Sequence, residues 1–124
     1  MLLSIKLNST QPIYLQIYDS VVSSIAKEVL RAENVLPSSR RLAKDLGINY
    51  HTVNKAYQLL EIEGFVRIDK KRVTVLQSTI KTTEEYVLKF NTIVAEIISE
   101  GRARKLDNAK LLKLFQDLLE KVVS

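Results

Sequence analysis

The sequence predicts a mainly α-helical fold that carries one small β-hairpin and ends in two further helices. Three observations predict it. Apolar residues recur at helical spacing in five stretches, the stretch FVRIDKKRVTVLQ alternates apolar and polar side chains as a strand pair does, and the composition changes after Gln77. We therefore expect a first domain at residues 1–78 and a helical appendage at residues 79–124.

The first helix is expected to begin near Pro12, after a polar lead-in of residues 1–10. The connection at residues 31–36 contains no glycine, and Asn34 is suited to supply the turn because its amide can hydrogen-bond to the local backbone. The apolar stripe of the helix is wide enough to support the segment that follows. The apolar stripe consists of Ile17, Val21, Ile25 and Val29, with Tyr18 and Val22 beside them.

Residues 36–69 contain the start and stop signals of two helices that are joined by a tight turn. Pro37 and Ser38 can open the first, because proline presets φ where no amide is needed and a serine hydroxyl accepts from unpaired N–H groups. Gly47 follows where the chain must leave that helix, and Asn49 is suited to cap the next. The expected buried residues are Leu42, Ala43 and Leu46 on the first helix, and Val53, Ala56, Tyr57 and Leu60 on the second.

The second of these helices presents a polar outward face without an acidic residue, and such a face suits the major groove of DNA. Gly64 then ends the helical pattern. Residues 65–68 and 72–76 are expected to form two strands, joined by a tip at residues 69–71. The outward face of the helix before these strands consists of Tyr50, His51, Thr52, Asn54, Lys55 and Gln58.

The tail is expected to form two amphipathic helices. Thr82 and Glu85 match a capping box, which predicts a helix that begins there and that Gly101 ends, while Asp107 can cap the last helix. Two helices of this length cannot bury such wide apolar faces against each other alone, so we expect a second copy of the chain to cover them. The alternative is that the tail folds back on residues 1–78. The expected interface residues are Tyr86, Phe90, Ile93, Val94, Ile97, Leu111, Phe115, Leu118, Leu119 and Val122.

The composition narrows the class of function. The net charge is +5, and residues 1–78 hold eleven Lys and Arg against seven Asp and Glu, whereas residues 79–124 hold eight against seven. Unevenly placed positive charge attracts polyphosphates such as nucleic acid, although basic residues also serve solubility. The absence of cysteine and a single histidine exclude thiolate zinc sites and a histidine-rich metal centre. Three glycines provide no phosphate-cradling loop, so we expect no enzyme and no cofactor.

The length limits the number of domains, and the hydropathy pattern indicates the cellular location. At 124 residues the chain fits one domain, or a small domain with an appendage. The sequence contains no run of about 18 apolar residues, and its start does not match a signal peptide. We therefore expect no membrane partner and a cytoplasmic location.

Residues 11 to about 76 resemble the winged helix-turn-helix domain of GntR-family transcription regulators. The resemblance rests on QPIYLQI and LPSSR, followed in order by Leu42-Ala43, Leu46-Gly47, Thr52-Val53, Ala56-Tyr57, Leu60-Glu61 and Glu63-Gly64. The short helical tail looks most like the YtrA-type branch of that family. The resemblance implies a sequence-specific transcription regulator, a repressor that binds a palindromic operator in double-stranded DNA as a homodimer. Residues 1–78 would then be the DNA-binding domain and residues 79–124 the dimerisation region.

The chain departs from the family pattern at three places. Residues 31–36 lack the usual glycine turn and Pro-Gly-Asp, the hairpin tip has lysines instead of glycines, and Tyr50 and Asn54 stand where relatives often have arginine. The base preference of relatives therefore does not transfer, although the Asn54 amide can pair bidentately with adenine. Arg40 matches the arginine of the family's Pro-Ser-x-Arg pattern. The residues expected to contact DNA are Ser38, Arg40, Arg41, Tyr50, His51, Thr52, Asn54, Lys55, Gln58, Lys70, Lys71 and Arg72.

Alternatives remain open for the residues and for the whole chain. The exposed cations can be solvated charges, and lysines on a hairpin tip also keep edge strands soluble. The alternative function is a winged-helix protein-interaction module, and a small-molecule sensor built in the short tail is a weaker third. The sequence does not identify the operator, the regulated genes or an effector.

Overall fold

The computed structural model describes residues 5–78 and 80–123. In chain order these residues form α1 (Ile13–Ala26), β1 (Val35–Leu36), α2 (Ser39–Leu46), α3 (Tyr50–Ile62), β2 (Val66–Asp69), β3 (Arg72–Val75), α4 (Ile80–Ala103) and α5 (Asn108–Val123). The predicted fold class, mainly helical with a small antiparallel hairpin, is confirmed. The chain divides after Ser78 into two units, which are described separately. No helix in the described part of the chain is both long and apolar enough to cross a membrane.

The first unit is built around a core that α1, α2, α3 and all three strands share. Ile17 and Val21 of α1 and Tyr57 and Leu60 of α3 are among its largest side chains, and each is at most 1% exposed. Burying one such side chain contributes about 1.5–3 kcal/mol, so α3 is fixed along one side and its other side is left to solvent. The core consists of Ile17, Val21, Leu36, Leu42, Ala43, Val53, Ala56, Tyr57, Leu60, Val66, Val73 and Val75.

The predicted signals at the ends of α2 and α3 are confirmed. The Ser38 hydroxyl caps α2 by accepting from the Arg41 N–H at 3.1 Å, and Gly47 ends the helix in a left-handed conformation with φ 68°. The Asn49 side chain caps α3 by accepting from the His51 N–H at 2.9 Å. All of the predicted buried residues of both helices are buried except Leu46, which is half-buried against the core.

α1 ends earlier than predicted. The helix stops at Ala26, and a turn with a positive φ of 59° at Glu28 sends the N–H groups of Val29 and Leu30 back to the Ser24 carbonyl at 2.9 and 3.1 Å. Val29 is consequently 63% exposed, so its assignment to the buried stripe is wrong. Leu30 packs against the core in its place.

The connection from α1 to α2 forms a turn that Asn34 closes, as predicted. The Asn34 side chain accepts from the Arg31 N–H at 2.9 Å, and the Asn34 N–H donates to the Arg31 carbonyl at 3.0 Å. The positive φ of 73° falls at Glu33. The turn leads into β1, which pairs antiparallel with β3 and places Val35 opposite Thr74. This third strand was not predicted, because two residues are too few to show an alternating pattern.

The hairpin of β2 and β3, called the wing from here on, is shorter than predicted. Phe65 and Leu76, which were predicted as strand residues, lie outside the strands. Asp69 was predicted in the tip but is the last residue of β2 and pairs with the first residue of β3. The tip therefore consists of Lys70 and Lys71 alone.

The second unit consists of α4 and α5, and two predictions about α4 are wrong. α4 begins at Ile80, so Thr82 lies inside its first turn and does not open the helix. α4 also continues through Gly101, where a Cβ would lie 3.0 Å from the Cδ2 atom of Leu111. That glycine serves close packing. The left-handed residue in the connection to α5 is Lys105, with φ 69°.

α4 and α5 meet at their joint. Asp107 caps α5 as predicted by accepting from the Lys110 N–H at 2.9 Å, and Arg102 of α4 donates to the Asn108 side chain. Among the described residues, the pairs of elements that pack extensively all belong to the first unit. Beyond the contact of Gly101 with Leu111, most of the large apolar side chains described on α4 and α5 are exposed, so their apolar faces are largely uncovered.

Candidate nucleic-acid interface

A buried tyrosine fixes α3 to the start of α2. The Tyr57 hydroxyl donates to the Pro37 carbonyl at 2.7 Å, immediately before the Ser38 cap. Burial raises the pKa of Tyr57, so this phenol remains a neutral donor throughout the physiological range. The first turn of α2 and the outward face of α3 are therefore held together as one surface.

The outward face of α3 is polar and contains no acidic residue between Tyr50 and Gln58. His51, Lys55 and Gln58 are exposed, whereas Tyr50, Thr52 and Asn54 are half-buried. All six were predicted to face outward, and none is one of the buried core residues, although Tyr50 packs against the core. Such a face offers hydrogen-bond donors and acceptors to a partner without repelling phosphates.

Three of the predicted DNA contacts form a stack. The Arg40 guanidinium lies 4.5 Å from the centre of the Tyr50 ring, and the rings of Tyr50 and His51 are 4.1 Å apart at an interplanar angle of 33°. A guanidinium stacked on a ring keeps the donors along its edge available, so Arg40 is pre-oriented while its fork remains able to bind a phosphate or a guanine edge.

Asn54 is also held by a neighbour that was not predicted. Ser39, the first residue of α2, donates its hydroxyl to the Oδ1 atom of Asn54, and both residues are half-buried. The sequence contains one signal for this contact: of two adjacent serines, only Ser38 can cap α2. Ser39 is therefore free to bond elsewhere, but the sequence does not show its partner.

These residues line a cleft of about 360 Å³ between α2, α3 and the wing. Arg40 and Lys71 supply positive charge at its walls, and Ile68 and Val73 of the wing supply its apolar surface. No acidic residue is among the described residues that line it. The cleft brings together Ser38, Arg40, Tyr50, Asn54 and Lys71 from the predicted set, with Ser39 and Tyr57 as unpredicted members.

The wing is tied to α3 by a carboxylate. The Glu61 Oε2 atom accepts from the Ile68 N–H at 2.7 Å. β2 lies at the edge of the sheet, so this bond satisfies an amide that has no neighbouring strand on that side. The predicted wing contacts Lys70, Lys71 and Arg72 are all exposed.

Two other predicted contacts are engaged outside the cleft. The Lys55 Nζ atom lies 4.1 Å from the centre of the Tyr14 ring, which orients it toward α1. The Arg41 Nε atom lies 3.9 Å from Oδ2 of Asp45, but these side chains are 78% and 60% exposed. A pair as exposed as this contributes little and leaves Arg41 able to exchange partners.

The chemistry of the cleft is hydrogen bonding and charge neutralisation. Hydroxyl, amide, guanidinium and ammonium groups are its polar members. Within residues 5–78 and 80–123, no cluster of three or more His, Cys, Asp or Glu side chains is arranged to hold a metal ion. The arrangement suits binding of a polyanion that also presents base edges.

The tail presents a second candidate surface. Eight of the ten side chains predicted at a subunit interface are between 38% and 60% exposed, whereas Val94 and Leu111 are half-buried. Apolar side chains this exposed on two adjoining helices form more apolar surface than a monomeric soluble protein usually leaves to water. The eight exposed residues are Tyr86, Phe90, Ile93, Ile97, Phe115, Leu118, Leu119 and Val122.

Comparison with known proteins places this architecture among transcription regulators. The family model described as "Bacterial regulatory proteins, gntR family" matches residues 13–76. The HTH-type transcriptional repressor YtrA of Bacillus subtilis is 37% identical over 75 residues, which cover 60% of this chain and 58% of that protein. The match thus spans little more than half of the length of that relative.

Solved structures extend the likeness to the tail. YtrA from Sulfolobus acidocaldarius, described as a GntR-family transcription factor, is 32% identical with a TM-score of 0.61, and the match covers 98% of this chain and 100% of that one. A structure described as a transcriptional antiterminator from Listeria monocytogenes EGD-e is 25% identical with a TM-score of 0.85, covering 100% of this chain and 94% of that one. The resemblance to the YtrA-type branch is confirmed.

Proposed function

Because the chain belongs to the gntR family of bacterial regulatory proteins, which are DNA-binding transcription regulators and not enzymes, we propose that it is a repressor that binds a palindromic operator as a homodimer. In this proposal residues 1–78 bind double-stranded DNA and residues 79–124 join two subunits. No effector is assigned.

One observation carries the proposal: the outward face of α3 is free of acid and fixed in place. Its buried side is anchored in the core, its first turn is capped by Asn49, and Tyr57 ties it to the start of α2. A helix held rigidly on one side and polar on the other is the form in which helix-turn-helix proteins enter the major groove. A protein-interaction surface of similar size would normally carry large exposed apolar anchors, and this face carries none.

The proposed contacts around α3 divide into residues that bind the DNA backbone and residues that recognise bases. The helix start of α2 offers Ser38, Arg40 and Arg41 to phosphates, and the stacked Arg40 can alternatively reach a guanine edge. His51 and Asn54 are the proposed base readers, since both lie on the outward face and carry groups that match base edges. The proposed additional contacts are Tyr50, Thr52, Lys55 and Gln58.

The wing is proposed to bind the DNA backbone by charge. Lys70 and Lys71 form its tip, Arg72 follows as the first residue of β3, and Glu61 fixes the wing relative to α3. A lysine is a flexible point charge without a planar hydrogen-bonding edge, so this tip would neutralise phosphates without discriminating among bases.

The homodimer is supported by the uncovered apolar faces of the tail. In the described part of the tail, α4 and α5 lack extensive packing against each other, and eight of their predicted interface residues are exposed. A second copy of the same surface is a partner always present at equal concentration, and isologous pairing would give the dimer a two-fold axis. Two copies of α3 related by that axis would bind an operator that has the same two-fold symmetry.

The direction of regulation is inferred from a relative. The Bacillus subtilis protein that is 37% identical over 75 residues is a transcriptional repressor. A small dimeric protein that occupies an operator can block polymerase by occupancy alone, which requires no further domain.

Selection of bound sequences from random duplex DNA by the full-length chain tests this function. We expect a palindrome whose half-sites lie about one helical turn, ~10 base pairs, apart or a multiple of that distance. Inserting half a turn between the half-sites should abolish tight binding, because the second recognition helix would then face the wrong side of the duplex. The matched control is insertion of a full turn. Recovery of no consensus, or tight binding that is indifferent to the half-turn insertion, would contradict the proposal.

A further inference from the structure

The amide of Asn54 is the chemically most selective group on the outward face of α3. A free asparagine amide matches adenine, because its oxygen accepts from N6 while its nitrogen donates to N7. That match requires both halves of the amide. If a bond within the protein turns the oxygen away from the groove, the nitrogen alone faces the base and the preferred base changes.

In this chain the acceptor half of the amide is turned toward the protein. Ser39 donates its hydroxyl to Oδ1 of Asn54, and the two side chains are half-buried in the cleft between α2 and α3. Tyr57 holds the start of α2 against α3 through its bond to Pro37, so the hydroxyl and the amide stay within reach of each other. The Nδ2 atom of Asn54 retains two donor hydrogens.

We propose that Ser39 sets the base specificity of this regulator by holding Asn54 as a hydrogen-bond donor. An NH₂ group seeks acceptors, and guanine presents two adjacent ones, N7 and O6, in the major groove. Thymine presents O4. Adenine presents its N7 acceptor beside an amino group, and cytosine presents an amino group. An amino group repels a donor, so guanine, with two acceptors, is the preferred partner of Asn54 and adenine is bound less tightly. The inference rests on the proposed function, because it assumes that α3 reads a major groove.

Ser39 is a positioning residue in this scheme, since it acts through Asn54 and touches no base. Its role is therefore separable from a purely structural one. Removing the hydroxyl frees Oδ1 and restores the ordinary asparagine preference for adenine, whereas a serine that only stabilises α2 would change affinity for all sites by the same factor.

The test uses the full-length chain and the operator recovered by selection. The base pair read by Asn54 is located as the one position at which Asn54→Ala loses discrimination. Dissociation constants for the four base pairs at that position are then measured by fluorescence anisotropy for the unmodified protein, Ser39→Ala and Ser39→Thr. The threonine variant keeps the hydroxyl and is the matched control. Circular dichroism and thermal melting confirm that each variant is folded.

We expect the unmodified protein and Ser39→Thr to bind guanine at this position about tenfold more tightly than adenine, and Ser39→Ala to reverse the order. A preference of the unmodified protein for adenine at this position overturns the inference. An unchanged ranking in Ser39→Ala, or unchanged discrimination in Asn54→Ala, also overturns it while operator binding stands. If no operator is recovered at all, the proposed function fails, and the inference fails with it.

Discussion

Replacing Tyr57 by phenylalanine removes one buried hydroxyl, and the structure gives both the size and the pH dependence of the loss. The hydroxyl donates to the Pro37 carbonyl at 2.7 Å, and the side chain is 1% exposed. Its removal leaves a carbonyl without this donor at the start of α2. Losing such a bond costs about 1–3 kcal/mol of the free energy of unfolding at neutral pH.

The cost should disappear at alkaline pH. Burial raises the pKa of Tyr57 in the folded protein, whereas the unfolded chain ionises near the ordinary value of about 10. Stability from the neutral phenol is therefore fully present below pH ~10 and falls above it, because the unfolded state then releases a proton that the folded state keeps. The fall is about 1.4 kcal/mol per pH unit, so the advantage over phenylalanine should vanish between roughly pH 10.5 and 12.

Urea unfolding followed by circular dichroism at pH 7, 9, 10 and 11, at one fixed protein concentration, measures this difference between Tyr57→Phe and the unmodified chain. Tyr14→Phe is the control at pH 7: Tyr14 lies in the same unit, is only half-buried and keeps the ring that Lys55 contacts, so stability should change by less than about 0.5 kcal/mol. The reasoning is refuted if Tyr57→Phe is as stable as the unmodified protein at pH 7, or if its deficit stays constant up to pH 11.

Three further outcomes are expected. Arg40→Ala should weaken operator binding by about 1–3 kcal/mol in an anisotropy titration while leaving the melting temperature unchanged, because the guanidinium stacks on Tyr50 at the surface. Phe115→Glu should give a monomer in sedimentation equilibrium at concentrations at which the unmodified chain is a dimer, and an unchanged dimer would remove Phe115 from the interface. Gly101→Leu should lower the stability by about 1–3 kcal/mol, since even a Cβ there meets Leu111 at 3.0 Å; a melting temperature equal to that of the unmodified chain would contradict this.

The parts of the fold that were predictable are those that local chemistry determines. Ser38, Gly47 and Asn49 specify helix ends through bonds to backbone groups within four residues, and these signals are present in the sequence itself. The buried stripe of α3 follows from helical periodicity. These elements position the outward face, so most of the candidate interface could be predicted without the structure.

The parts that were not predictable depend on neighbours distant in sequence. The bond from Ser39 to Asn54 spans fifteen positions, and that from Glu61 to the wing depends on where β2 is placed against α3. Gly101 was assigned to a helix end because glycine commonly stands there, yet its role comes from the approach of Leu111. A glycine that permits close packing and a glycine that ends a helix look the same in one sequence.

At the wing tip, the residues that would best stabilise the turn differ from those that would best bind DNA. Lys70 and Lys71 adopt positive φ values of 49° and 67°, which cost a residue with a Cβ about 1 kcal/mol each relative to glycine, and hairpin tips of this length favour Asn-Gly. Folding alone therefore does not explain two lysines. The double replacement of Lys70 by Asn and Lys71 by Gly should raise the melting temperature, yet lower the affinity for operator and random duplex alike and reduce the salt dependence by about one unit per lost phosphate contact. Melting curves and anisotropy titrations at several salt concentrations measure both effects. Affinity and salt slope equal to those of the unmodified chain would exclude the tip from the DNA interface.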